Sequence, residues 1–155
     1  MAEYEMHLEQ AAPRWVAVVR RRADPGSLSK VVPATCGIVW NFIRATSLPH
    51  EGLNLAIYKN AAIDLECGVI VKDRFESSGE VVCTTTPSGP VVRTEHYGGY
   101  DRLGDAHDAI HQWCRANQHK LTGVRWEIYD HWTEDVEKLH TTVYYQVESN
   151  DQTGK

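Results

Sequence analysis

The chain contains no stretch approaching the ~18 uninterrupted apolar residues that a membrane-spanning helix requires. Its start, Met1-Ala2-Glu3-Tyr4-Glu5-Met6-His7, has no basic segment followed by an apolar run, so the pattern of a secretory leader is missing too. No Cys-x-x-Cys pair occurs. Cys36, Cys67, Cys83 and Cys114 are scattered, two of them in apolar helical stretches, which favours buried free thiols in a reducing compartment over a disulfide framework. A soluble, cytoplasmic protein with no membrane partner is expected.

Positive charge is also scarce. Sixteen Lys and Arg stand against 21 Asp and Glu, for a net charge of -5. This argues against a broad phosphate-binding face, because nucleic-acid affinity rests on clustered Lys and Arg. The one basic run, Arg20-Arg21-Arg22, reads as a solvated edge or turn rather than a phosphate site. Gly37 and Gly98-Gly99 belong to no Gly-x-x-x-x-Gly-Lys or Gly-x-Gly-x-x-Gly motif, and no Ser sits in a Gly-x-Ser-x-Gly turn. A Cys-His nucleophile is disfavoured because both helical cysteines occupy core positions.

What the sequence does have is an internal echo. From Trp15 to Val71 it runs as an extended apolar segment, a helical segment containing Trp40, the strand-like Leu53-Asn54-Leu55-Ala56-Ile57-Tyr58 and a further strand. From Val91 to Val147 the order recurs: Val91-Val92-Arg93-Thr94, a helix containing Trp113, Val124-Arg125-Trp126-Glu127-Ile128-Tyr129, and Thr141 to Val147. Aligning Ile57-Tyr58 on Ile128-Tyr129 brings Trp40 and Trp113 together to within a couple of residues and sets Ala56 against Glu127. At 155 residues the chain fits one domain that buries roughly two thirds of its unfolded surface.

The elements follow from local chemistry. Asp24-Pro25-Gly26-Ser27 closes the first strand, Pro33 suits a helix start, and Ser47-Leu48-Pro49 ends that helix. Strands at 53–58 and 63–71 are joined by the short link 59–62, which favours antiparallel pairing. Glu76-Ser77-Ser78-Gly79-Glu80 connects the copies. The second helix carries Leu103, Ala106, Ile110, Trp113 and Cys114 on one stripe. The predicted fold is α+β: a tandem β-α-β-β repeat with pseudo-two-fold symmetry, about six main strands in one antiparallel sheet, two helices on one face and a ligand cleft on the other. Residues 1–148 form the domain, with copies over 14–72 and 81–148, and 149–155 a flexible tail.

Strand alternation puts Arg125, Glu127 and Tyr129 on one face, with Tyr58 beside them on the face away from the helices. Two readings of Glu127 stand. Among aromatics in an apolar setting it attracts a lipophilic cation or accepts a proton; on a half-wet strand it pairs with Arg93 or Arg125. His107 and His111 have metal-ligand spacing, but Asp108 replaces the Glu of the zinc-protease pattern, and helix-flank histidines without metal are the favoured reading. His96 either lines the mouth of a site or finishes a strand.

Val92-Arg93-Thr94-Glu95-His96-Tyr97-Gly98-Gly99-Tyr100, the Ala106 to Trp113 helix, Leu121-Thr122-Gly123 and Glu127-Ile128-Tyr129 resemble the GyrI-like small-molecule-binding family, the effector-binding domain of bacterial transcription activators. With the first copy the resemblance covers about residues 5 to 148. It implies a cleft between two modules that binds bulky, cationic or aromatic compounds around a central acidic residue, here Glu127. It implies Tyr58, Tyr129, Trp132, Tyr145 and His96 as further ligand-binding residues, with no cofactor and no metal. The chain is too short for an added helix-turn-helix region, so a stand-alone member that senses or sequesters drugs, without direct DNA binding, is expected. The resemblance also implies two alternatives: a hydrolase of cyclopropane-bearing genotoxins using Glu127 and Tyr129, and a gyrase-inhibitor-like interaction protein. A homodimer is left open.

Overall fold

Every extended run expected from the sequence is a strand of one antiparallel sheet in the computed structural model, which describes residues 4–59 and 64–149. The strands are β1 (His7–Ala11), β2 (Trp15–Arg22), β3 (His50–Tyr58), β4 (Asp64–Val71), β5 (Val82–Thr85), β6 (Gly89–Tyr97), β7 (Leu121–Tyr129) and β8 (His140–Val147). The two long helices are α1 (Leu28–Thr46) and α2 (Leu103–Ala116). Across the sheet the order is β1-β6-β8-β7-β3-β4-β2-β5. The α+β class and the β-α-β-β order therefore hold: β2-α1-β3-β4 occupies one half and β6-α2-β7-β8 the other. Residues 1–3 of the expected domain, 60–62 of the expected link, 63 of the expected strand and 150–155 of the expected tail lie outside the described residues. No helix among the described residues is long and apolar enough to cross a membrane.

Among the described residues, eight strands replace the six expected. β1 has no β-branched residue and alternates half-buried with exposed positions, so its propensity is silent; pairing with β6 and a 3.1 Å ion pair from Arg93 to Glu9 hold it. β5 adds to the outer edge of β2. Helix α1 begins at Leu28 rather than at Pro33, which sits in the second turn. A hydrogen-bonded turn from Asp24 to Ser27 sets the helix direction earlier, and Pro33 costs one amide donor toward Ser29. The helix ends where Ser47 adopts a left-handed conformation ahead of Pro49. The arginine run is an edge whose guanidinium groups are each ion-paired: Arg20 with Glu66, Arg21 with Glu80 and Arg22 with Asp64.

The two halves keep step over the elements that matter for the site. β3 shifts register between His50 and Asn54, and β7 between Leu121 and Arg125. Gly52 and Gly123 supply the positive φ angles within these irregularities, at 78° and 102°. Each position in β7 lies 71 residues after its counterpart in β3. Because β3 and β7 are antiparallel neighbours with Ala56 opposite Glu127, the pseudo-two-fold axis passes between those two residues. The helices follow the same spacing. Thr35, Val39 and Ile43 are buried in α1, and Ala106, Ile110 and Cys114 in α2. Trp40 thus corresponds to His111, two places short of Trp113.

The placement of the cleft differs from expectation. Both helices cover one face: α1 packs on Ala17, Val19, Val69 and Val71, and α2 on Val92, Val143, Tyr145 and Val147. The other face is not open. Val16, Val18, Leu55, Ile57 and Val91 have zero exposure there, in a cluster that includes Ile70, Trp126 and Ile128 and contains no helical residue. Ala11 of β1 and Val82 of β5, near opposite edges of the sheet, pack on that same cluster. An eight-stranded twisted sheet coils far enough to bury its own concave face, so the isoleucines point away from the helices and the cleft must lie on the helical side.

Gly68 marks the tightest point of this coiling. It lies between Leu55 of β3 and Val18 of β2, and a Cβ there would sit 1.9 Å from the Ala17 carbonyl oxygen. We expect Gly68→Ala to lower stability by about 3 kcal/mol through forced backbone displacement. Urea unfolding checks this, and an unchanged midpoint would contradict so close an approach of β2 and β4.

Candidate functional site

Glu127 stands at the centre of the helical face with 5% of its surface exposed, so the reading of a half-wet surface carboxylate does not hold. Strand alternation aims Tyr129 to the same side, and cross-strand pairing at the axis brings Tyr58 from β3. The Tyr129 hydroxyl donates to Glu127 Oε1, and the Tyr58 hydroxyl donates to the same oxygen at 3.4 Å. Oε2 is met from α2 by His107 Nε2 at 2.5 Å. The other ring nitrogen, Nδ1, lies 2.6 Å from the Tyr145 hydroxyl. A buried carboxylate is costly unless its lone pairs are used, and here three side chains use them.

Beside the carboxylate opens a cavity of about 600 Å³. Its α1 wall is Leu28, Pro33, Cys36, Gly37 and Trp40; Asn54, Tyr58 and Tyr129 form the floor, and Tyr100 and Leu103 the opposite lip. Gly37 keeps that wall thin, since a Cβ there would meet nothing within 4 Å. The Trp40 indole N–H donates to Asn54 Oδ1 at 2.7 Å, which fixes the large ring across one end. Tyr100 meets Tyr129 edge-on at 5.9 Å. The volume and the mainly apolar lining with few directed polar groups are those of small-molecule sites.

The spacing of 71 pairs the two walls residue by residue: Cys36 with His107, Trp40 with His111, Asn54 with Arg125, Ala56 with Glu127, and Tyr58 with Tyr129. Every ionic or imidazole group in this set belongs to the second half. The first half supplies a thiol, an indole, an amide and a methyl group. Arg125 lies over the Tyr58 ring, 4.8 Å from its centre, and His111 meets Tyr145 edge-on at 5.0 Å. Burial, followed by the neighbouring His107, lowers the pKa of His111 and favours its neutral form.

Of the residues predicted for the site, Glu127, Tyr58 and Tyr129 line the cavity together, and Tyr145 stands behind them through His107. His96 is buried between the Tyr4 hydroxyl and the Gly99 carbonyl, each 3.0 Å away, and does not line this cavity. Trp132 lies in the segment after β7 with 70% of its surface exposed. Arg93 pairs with Glu9 and Glu95 rather than with Glu127. His107 is the residue that sequence reasoning passed over. The one sequence signal for it is its place in the repeat, 71 residues after Cys36 of the α1 wall, which helix-flank spacing does not reveal.

Burial raises the pKa values of Tyr58 and Tyr129, with the Glu127 charge adding to it, and burial pushes Tyr145 up to about 12. A raised phenol pKa means that the folded state holds its proton more tightly than the unfolded chain. That stabilisation is whole below the ordinary value of about 10 and is lost as pH rises through the folded values. In a tyrosinate absorbance titration we expect Tyr145 to ionise near pH 12, in a step missing from Tyr145→Phe, and Tyr58 and Tyr129 to ionise above the ordinary phenol range. Ionisation of all seven tyrosines in one step near pH 10 would contradict the cluster.

No family model and no curated protein matches the chain by sequence. Solved structures do match by shape. The EcmrR C-terminal domain superposes with a TM-score of 0.77 at 24% identity, covering 94% of this chain and 98% of that one. The structure of SAV2435 bound to tetraphenylphosphonium gives 0.66 at 14% identity, covering 93% and 94%. A hydrolase encoded by lin2189 from Listeria innocua gives 0.64 at 13% identity, covering 93% and 92%. The chain therefore has the fold of the EcmrR C-terminal domain across nearly its whole length.

Proposed function

We propose that this protein binds lipophilic aromatic compounds, cations among them, in the cleft over Glu127, and acts in the cytoplasm in drug sensing or sequestration. The observation that carries this reading is a buried carboxylate held by Tyr58, Tyr129 and His107 at the floor of an aromatic cavity of about 600 Å³. Ring faces and a carboxylate together favour a desolvated cation that neither attracts as strongly alone. The shared fold with SAV2435, solved with tetraphenylphosphonium, supports the same class of ligand. The net charge of -5 speaks against a direct role on nucleic acid.

Titration with tetraphenylphosphonium and cationic dyes tests the reading. Wild type should bind, and Glu127→Gln should lose about tenfold in affinity, equivalent to about 1.4 kcal/mol. Equal affinities would sink the role of the charge, and absence of binding to wild type would sink the reading itself.

A hydrolytic reading has its own observation. His107 and the Tyr129 hydroxyl both contact the Glu127 carboxylate, so a base and a proton donor share one site, as acid-base hydrolysis of an electrophile requires. The fold shared with the lin2189 hydrolase is compatible with it. If this reading is right, a cyclopropane-bearing alkylator is consumed above the solvent rate and Glu127→Gln slows its loss about 100-fold. Product at the background rate leaves binding alone.

A further inference from the structure

The cleft holds one polar group that the proposed function leaves unused. The Trp40 indole N–H meets the side chain of Asn54 at 2.7 Å, and an indole nitrogen can only donate. The carboxamide must therefore turn its oxygen to Trp40 and its NH2 group away from it. That NH2 group makes no hydrogen bond to a described residue. Nor is it sealed in the interior, since the buried unpaired polar atoms among the described residues are Glu66 Oε1, His119 Nδ1 and Thr141 Oγ1. Asn54 is half-buried and lines the cavity, so the NH2 group is open to what enters.

The other donors of the cleft floor and wall are already engaged. Tyr58 and Tyr129 give their hydroxyl protons to Glu127, Trp40 gives its own to Asn54, and the Cys36 thiol donates to the Gly68 carbonyl at 3.6 Å. The Ser29 hydroxyl belongs to an exposed residue at the rim. Register fixes where the amide stands. Asn54 lies opposite Tyr129 on the β3–β7 ladder, two places along the strand from the Ala56–Glu127 pair, which sets it diagonally across from the carboxylate at about 7 Å. In the repeat it takes the place of Arg125. A guanidinium at this point would repel a bound cation, whereas an amide donates without charge.

We infer that Asn54 is a specificity-determining residue of this cleft: it favours lipophilic cations that carry a hydrogen-bond acceptor, such as a ketone oxygen, about 7 Å from the charged centre over cations that are otherwise pure hydrocarbon. The inference rests on the small-molecule reading given above and adds its selectivity. A ligand oxygen replaces the water that the NH2 group gives up. A hydrocarbon surface strips that water and returns nothing, and the unmade bond is the source of the discrimination. Trp40 acts here as a positioning residue, because its N–H holds the amide in the orientation that presents the NH2 group.

Calorimetry with two ligands of equal charge and similar shape, (para-acetylphenyl)triphenylphosphonium and (para-isopropylphenyl)triphenylphosphonium, tests this. Wild type should bind the acetyl compound about fivefold more tightly. Asn54→Asp keeps an acceptor for Trp40 but has no NH2 group; its added charge acts on both cations alike, so the ratio of affinities should fall to about one or below. Trp40→Phe lets the amide turn and should at least halve the wild-type ratio; an unchanged ratio removes the positioning role. If wild type binds both compounds equally, the selectivity is refuted while the binding function stands. A preference that survives in Asn54→Asp refutes the assignment to this residue, and absence of binding to wild type by either compound removes both conclusions. Should Asn54→Asp fail to fold, NMR of the wild-type side-chain amide decides: the acetyl compound must move the Asn54 NH2 resonances downfield and the isopropyl compound must not, and equal shifts overturn the proposal.

Discussion

The pairing of β3 with β7 is the constraint on which the rest of the molecule depends. It joins the two halves into one sheet, and its register places Ala56 opposite Glu127 at the pseudo-symmetry axis. A shift of one residue would turn Glu127 into the apolar cluster that holds Trp126 and Ile128 and would turn those side chains toward the helices. Such a slip is opposed from both faces: by the zero-exposure packing of Leu55 and Ile57 beneath, and by the hydrogen bonds of Glu127 above. The matching irregularities at Gly52 and Gly123 then bend both strands alike as they leave the axis.

From that register follows a division of labour between the halves. The first half gives the cleft its room and its apolar surface, through Pro33, Gly37 and the indole of Trp40. The second half gives it electrostatics, through Glu127, His107 and Arg125. On the far side of the sheet the molecule has less freedom, because the coiled strands bury the centre of that face and Gly68 is already in contact with its neighbour. Changes in ligand preference are therefore confined to the helical side.

Much of this was legible in the sequence. β-branched runs pointed to six strands, the three- and four-residue spacing of Ala106, Ile110 and Cys114 to α2, and strand alternation together with the repeat grouped Glu127 with Tyr129 and Tyr58. Three things were not legible. β1 consists of residues with no strand preference and exists through its partner β6. The side of the sheet carrying the cleft depends on how far the sheet coils, a collective property that no single strand encodes. His107 looked like a helix-flank histidine because its partners, Glu127 and Tyr145, are 20 and 38 residues away along the chain.

The position of Glu127 on the axis bears on how such a site can arise at all. Two identical β-α-β-β units related by a true two-fold would put the same side chain on both sides of the axis. Two carboxylates would then stand roughly 5 Å apart, one of them driven to hold a proton, and two alanines would leave no charge. A single ionised group at that point requires the paired units to differ. Joining both units in one chain lets Ala56 and Glu127 be chosen separately, so the lone carboxylate is a consequence of covalent linkage as much as of the fold.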